Sequence, residues 1–199
     1  MGIEFELKYR LDASLLQQLR QQIPGPEQIL HMQTVYYDTA AGSFSQRKCT
    51  LRRRMENGKS ICTLKTPAAG FGRQEWETEC DCIEQAIGRL RALGAPADVL
   101  SLAEPGLLPI CGAAFTRIAK TVVYEDAVLE LALDEGILTG GGRECPLCEM
   151  EVELKSGSQH ACMAFARQLA QRYGLPPEPH SKFRRALNLY KGETHGSAT

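Results

Sequence analysis

Glu4, Glu6 and Lys8 stand at alternate positions in the stretch EFELK, with Ile3, Phe5 and Leu7 in the places between. On a β-strand successive side chains point to opposite faces, so this segment has one charged face and one apolar face. The pattern recurs. Arg52 and Arg54 share a face opposite Leu51 and Met55, and Lys65 lies with Thr63 opposite Cys62 and Leu64. Arg73, Glu75, Glu77 and Glu79 alternate about Trp76, and Glu130 and Asp134 alternate with Leu129, Leu131 and Leu133. Late in the chain Glu149, Glu151, Glu153 and Lys155 oppose Met150, Val152 and Leu154.

A sheet with one face in water gives this alternation for any single strand. Two features argue against that account for the set. Residues i and i+2 lie about 6.7 Å apart on a strand. Two carboxylates at that spacing repel by about 0.6 kcal/mol in water and about 2.5 kcal/mol at an effective dielectric of 20. A solvated surface mixes signs within a strand, whereas acid-only and base-rich strands are separated here. Rows of carboxylates suit hard divalent cations, which take oxygen ligands. Rows of arginine and lysine suit phosphate, with arginine as a bidentate donor. In a sheet curled into a barrel with a polar lumen, the apolar face would pack outward under helices. The charged face would line the interior.

The elements needed to hold those rows are readable. Residues 10–25 form a helix with Asp12 or Ser14 as N-cap and Pro24-Gly25 as its stop. Residues 28–39 are rich in β-branched and aromatic types and read as a strand, and 40–48 as a polar loop. Asn57-Gly58 marks a hairpin between two strands within 49–67. A strand over 71–81 and a helix over 82–94, closed by Gly94, follow. Residues 95–111 carry no clear pattern. Strands at 115–126 and 127–136, a short strand or glycine-rich loop at 137–143, and a strand at 148–157 come next. Helices at 158–174 and 181–190 close the chain. The total, about eight strands and three or four helices, is a mainly antiparallel α+β domain over 1–190, with 191–199 as a disordered tail.

Composition sets bounds. Hydrophobic residues make up 43% of the 199 and charged residues 24%, as in an ordinary globular domain able to bury a core. A net charge of −1 gives no sign of nucleic acid or an anionic membrane as partner. No apolar run is long enough to span a bilayer, and the first residues lack a secretory signal, so the cytoplasm is the expected location. The eight cysteines are then expected as free thiols, including the C-x-x-C pair Cys145 and Cys148.

Taken in order, E-x-E-x-K at 4–8, QTVYYDT, LRRR, LK, RQEWE, TRIAK, ALDEG, EMEVELKSG and SKFRRAL resemble the CYTH-domain family of triphosphate tunnel metalloenzymes. The resemblance runs from residue 2 to about 190. It comes nearest bacterial inorganic triphosphatases, through ELKSG and SKFRRAL. It implies an eight-stranded antiparallel tunnel with helices packed outside, and a small-molecule triphosphate cleaved with Mg²⁺ or Mn²⁺. By that resemblance Glu4 and Glu6 are metal ligands. Of Glu149, Glu151 and Glu153 at least two join them, Glu149 and Glu151 being favoured. Lys8 contacts triphosphate or positions water, and Asp134 is catalytic. Arg52, Arg54, Lys65, Arg73 and Arg117 bind phosphate oxygens, with Lys120 and Lys182 as weaker candidates. Glu75 and Glu77 line the tunnel. Many members have an aliphatic residue where Arg53 stands; the pleat points it outward as a solvated or helix-pairing charge. His31, His160 and His180 read as structural or surface residues. A class IV-type adenylate cyclase and a non-catalytic triphosphate- or polyphosphate-binding module are the alternatives. Oligomeric state is open.

Overall fold

In a computed structural model of the protein, which describes residues 2–68 and 72–193, one antiparallel sheet curls around a central cavity. Its strands are β1 (Gly2–Glu4), β2 (Glu6–Arg10), β3 (Glu27–Asp38), β4 (Thr50–Glu56), β5 (Lys59–Pro67), β6 (Arg73–Glu79), β7 (Leu108–Tyr124), β8 (Ala127–Gly140) and β9 (Arg143–Ser156). The order across the sheet is β1-β6-β5-β4-β3-β7-β8-β9-β2. The two edge segments, β1 and β2, are halves of one strand interrupted at Phe5, so the first strand bridges both edges and eight strands encircle the cavity. Glu4 is opposite Arg73 on one side, and Glu6 is opposite Glu153 on the other. The Phe5 carbonyl accepts from the Leu154 N–H at 2.9 Å. The other edge of β2 is met by the segment after α5, where Arg10 N donates to Pro176 O and Glu178 N to Lys8 O.

The convex face is apolar, as the alternation demands, and helices cover it. Helix α1 (Ala13–Gln22) is capped by Asp12, whose Oδ1 accepts from Leu15 N at 2.8 Å. The further helices are α2 (Ser43–Gln46), α3 (Ile83–Ala92), α4 (Ala97–Leu100), α5 (Gln159–Tyr173) and α6 (Lys182–Lys191). With α5, α1 buries Leu16, Leu19, Phe165 and Leu169 on Leu129, Leu131 and Val152 of the sheet. Helices α3 and α4 cover Leu51, Cys62, Leu64 and Trp76. Each fully buried aliphatic side chain contributes about 1.5–3 kcal/mol. Helix α6 lies instead on the concave face. Its Ala186 and Leu187 pack on Leu30, Met32, Tyr36 and Phe115 at one end of the cavity.

Several sequence expectations need correction. Residues 40–48 are not wholly polar loop: α2 lies there, with Phe44 fully buried and Asp38 accepting from Phe44 N and Ser45 N. β7 begins at Leu108, inside the stretch that had no clear pattern. Residues 137–143 are no separate element, since β8 runs to Gly140 and β9 starts at Arg143. Lys191 is the last residue of α6 rather than tail. The expectations for residues 194–199, for Phe71 at the head of β6 and for the Ile3 side chain lie outside what the structure describes.

The cysteines of the described chain are free thiols. Cys145 and Cys148 lie three apart on β9, so they point to opposite faces and cannot act as a pair. Burial pushes the thiols of Cys62 and Cys111 up to about 12, which leaves them unreactive at neutral pH. No helix among the described residues is long and apolar enough to cross a membrane.

Lys120 is not in the cavity. Three residues from Arg117, it faces the convex side, where its Nζ donates to the carbonyls of Arg20 and Ile23 at 2.6 Å and meets Glu27 at 3.2 Å. It closes the end of α1 on the sheet. Lys120→Ala would leave two carbonyls and Glu27 without that partner. We expect a loss of about 2–4 kcal/mol in urea unfolding, from the usual strength of hydrogen bonds to charged groups.

Candidate active site

Inside the curl is a cavity of about 560 Å³, lined almost continuously by charge. Glu4 and Glu6 with Lys8 enter from the split first strand, Arg52 and Arg54 from β4, and Lys65 from β5. Arg73, Glu75 and Glu77 come from β6, Arg117 from β7, and Glu151 and Glu153 from β9. Arg53 is absent from the lining; it points outward and donates to the Asp81 carbonyl at 2.8 Å. Period two places these residues, because each lining side chain belongs to the parity opposite the apolar contacts beneath the helices.

The lumen carboxylates do not stand as bare repelling rows. Curling brings acid strands against basic ones. Lys65 donates to Glu4 at 2.6 and 2.7 Å and lies 3.4 Å from Glu75. Lys8 donates to Glu6 at 2.7 Å. Arg52 lies 3.7 Å from Glu75 and 3.8 Å from Glu77. The repulsion expected from the sequence is thus answered partly within the first strand, by Lys8, and mostly across strands, which only tertiary structure supplies. For Glu4, burial works to raise the pKa, but Lys65 outweighs it and holds the carboxyl below its ordinary value. Glu75 is left raised, chiefly by burial.

At the end closed by α6 the pairing is denser. Asp134 and Glu149 have no exposed surface. Arg117 donates to both oxygens of Asp134 at 2.7 Å and also to Glu151. The Lys182 ammonium lies 2.7 Å from Asp134 and 2.8 Å from Glu151 and also bonds Glu149. Arg185 takes the other oxygen of Glu149 and reaches Glu178 at 3.6 Å. Oxygens of Asp134, Glu149 and Glu151 lie within 4.8 Å of one another, a grouping of donors that could hold a metal ion. In this structure Lys182, Arg117 and Arg185 satisfy those acids. Of the three candidate acids Glu149, Glu151 and Glu153 on β9, Glu151 and Glu153 reach the cavity lining, and Glu149 is sealed behind α6.

On one wall the guanidiniums are paired at their outer nitrogens only. The buried Nε atoms of Arg52, Arg54 and Arg73 have no hydrogen-bond partner. Burial, together with repulsion from Arg52 and Arg117, holds Arg54 below the ordinary arginine value. It remains a guanidinium at any physiological pH. Arg73 is likewise lowered, first by burial. Buried donors without acceptors are rare in native proteins and mark places where something else is expected to bind.

Sequence reasoning did not single out Glu56, which pairs with Arg54 at 3.0 Å, nor Arg184, which lines the cavity, nor Arg185. The parity of β4 could have found Glu56. Nothing local marks the two arginines of α6, because their neighbours are distant in sequence.

A charged antiparallel tunnel of this kind defines a class. The CYTH domain family matches residues 2–187, and the chain belongs to that family. It is 29% identical over 145 residues to an inorganic triphosphatase of Haemophilus influenzae, in a match covering 71% of this chain and 41% of that protein. The chain therefore matches well under half the length of that curated relative. A Pyrococcus horikoshii protein has a similar structure, with TM-score 0.65 and 20% identity over 93% of this chain and 98% of its own. So does a Hippeastrum adenylyl cyclase candidate reported to reveal a dominant triphosphatase activity, with TM-score 0.62 and 23% identity over 98% of both chains. At such identities the two solved structures bear on the fold alone.

Glu151 is the keystone of the buried pairs. Burial works to raise its pKa, but Lys182, Arg117 and Lys8 outweigh that and hold it well below the ordinary glutamate value of 4.5. A lowered carboxylate contributes stability above its unfolded value and loses it as pH falls through the folded one. Glu151→Gln should therefore cost about 3 kcal/mol near neutrality, as when one partner of a buried ion pair is removed. The gap to wild type should shrink as pH is taken below 4.5. Glu153, paired with the half-exposed Lys155, should cost below about 1 kcal/mol on Glu153→Gln. Urea titrations of the three proteins from pH 7 downward measure both differences.

Proposed function

We propose that this chain is a metal-dependent triphosphatase, hydrolysing a phosphoanhydride bond of inorganic tripolyphosphate or a related triphosphate in the tunnel. The observation that carries this reading is the wall of Arg52, Arg54 and Arg73, three guanidiniums with buried unpartnered Nε atoms, facing a wall of carboxylates. A phosphate chain supplies several oxygens for the first wall. Glu4, Glu6, Glu151 and Glu153 are oxygen donors that suit a hard divalent cation. They belong to one neighbourhood, since Glu4 feels the charges of Glu151 and Glu153. Bound Mg²⁺ or Mn²⁺ would supply Lewis-acid polarisation and an acidified water.

The chain's own residues do the positioning on which phosphoryl transfer mostly depends. Arg52, Arg54 and Arg73 bind phosphate oxygens, which would meet the Nε atoms left without acceptors. Lys65, bonded to Glu4 in the lining, is a further ammonium that would serve phosphate oxygens. Burial works to lower the pKa of Lys8, but Glu6 and Glu151 outweigh it and hold it above its ordinary value. Lys8 therefore remains an ammonium and serves as an electrostatic donor that orients phosphate or water, not as a base. Asp134, sealed behind Arg117 and Lys182, fixes those cations. Glu149 bonds Lys182 and Arg185 of α6, and it stands with Asp134 and Glu151 in the group of acids that could hold a metal ion.

The lumen aromatics favour an inorganic chain over a nucleotide. Tyr36 and Phe183 pack against each other, 5.1 Å apart and tilted by 48°, and Phe115 carries Lys182, so among the described residues these three are already engaged and offer no open platform for a base. That argues against the cyclase. The carboxylate wall argues against a module that only binds anions.

Two measurements test the reading. Tripolyphosphate, ATP and thiamine triphosphate are each incubated with Mg²⁺, Mn²⁺ or a chelator, and orthophosphate and pyrophosphate are scored. We expect tripolyphosphate cleavage that falls at least about a hundredfold on chelation, the scale of losing a main electrostatic contributor. Unchanged turnover without metal, or cyclic AMP with pyrophosphate from ATP, would sink it. Among variants, Arg52→Ala and Arg54→Ala should each lower kcat/KM about a hundredfold, while Arg53→Ala stays within about twofold, as expected for a side chain on the other face.

A further inference from the structure

Among the described residues, Phe115 is the one aromatic of the lumen that two cations share. It sits on β7 between Met32 of β3 and Gly136 of β8. Its ring faces the cavity and is nearly buried. The Lys182 ammonium stands 5.1 Å from the ring centroid and the Arg117 guanidinium 5.9 Å. Both lie within the reach of a cation–π attraction, which grows as the cation is desolvated. Lys182 has three N–H donors, and three carboxylates surround it: Asp134, Glu149 and Glu151. The ring adds an electron-rich face to that cage.

Beside it the strands run close together. A Cβ at Gly136 would lie 2.5 Å from the Phe115 Cα, 2.6 Å from its Cβ and 2.1 Å from the Ala114 carbonyl oxygen. These are atoms that any residue at 115 but glycine carries, so Gly136 answers the backbone of β7 and leaves the ring to be explained by its cations.

We propose that Phe115 is a positioning residue of the triphosphate site, its ring face holding Lys182 and Arg117 in register with Asp134 and Glu151. This rests on the reading of the lumen as a triphosphate site. A side chain of similar bulk without a π face would fill the space but give neither cation its lateral hold. Arg117 and Lys182 would then shift on their carboxylates, and Glu151 would lose its fixed direction within the acid wall. The substrate's main holders, Arg52, Arg54 and Arg73, do not touch the ring, so binding should survive better than turnover.

The test replaces Phe115 by 4-fluoro-, 3,5-difluoro- and pentafluorophenylalanine, which remove the negative ring face stepwise at nearly constant volume. We expect kcat for tripolyphosphate to fall at each step, by about tenfold over the series, with KM within about twofold of wild type and Tm not tracking the fluorine count. Phe115→Leu should match the pentafluoro protein, and Phe115→Tyr should recover most of the rate. A flat kcat across the series in an active wild-type background overturns the proposal while leaving the triphosphatase reading intact. So does a kcat that falls only in parallel with Tm, the mark of packing alone. A wild-type protein that neither binds nor cleaves tripolyphosphate removes the reading of the site, and the role of Phe115 with it.

Discussion

A carboxylate taken out of water is several kcal/mol less stable unless a cation or strong donors meet it, and eight glutamates line the concave face of this sheet. Their partners come from the same face. Lys65 answers Glu4, Arg52 stands near Glu75 and Glu77, and Lys182 with Arg117 serves Asp134 and Glu151. Some pairs lie along one strand, as Lys8 with Glu6 and Arg54 with Glu56, but the others join different strands and need the curl. The curl in turn requires a convex face that helices can cover, and the alternating apolar residues supply it. Charge pairing inside and hydrophobic burial outside are two results of one periodicity.

The pairing is uneven, and the unevenness carries the functional argument. The end closed by α6 is saturated: each acid there has at least one cation within ion-pair distance. Buried Nε atoms without an acceptor occur at both ends, on Arg185 as well as on Arg52, Arg54 and Arg73. The difference is access: the last three line the cavity, and Arg185 does not. A ligand bringing both a phosphate chain and a cation could exchange with both kinds of lumen charge at once.

How far the sequence reveals this depends on the range of the signal. Strand parity is local, and it separates Arg52 and Arg54 from Arg53 without any knowledge of the fold. The same parity separates Lys120 from Arg117, an odd number of residues apart, although the family-like run TRIAK invites reading both as phosphate ligands. Helix ends are local as well, and Asp12, Ser158 and Ser181 cap as their types suggest. The placement of α6 on the concave face is not local. Its strong amphipathic pattern shows that one face is buried, not against what, so the roles of Lys182 and Arg185 in fixing β8 and β9 have no sequence-level sign. Phe44 in a run of polar residues is a similar case, since it is anchored through Asp38, six positions earlier.

The split first strand has a consequence for how the chain reaches this state. β1 pairs with β6 about seventy residues on, and β2 pairs with β9 about a hundred and forty residues on. During synthesis the first strand emerges with neither partner made, and its second half must wait for nearly the whole domain. Pairings of such long sequence separation form slowly because the chain entropy of closing them is lost before contacts compensate. The hairpins β4–β5, β7–β8 and β8–β9 need no such wait. The ring of strands is therefore expected to assemble as an open sheet first. Its closure by the strand that carries Glu4, Glu6 and Lys8 comes late, so the folding step that completes the wall also completes the site.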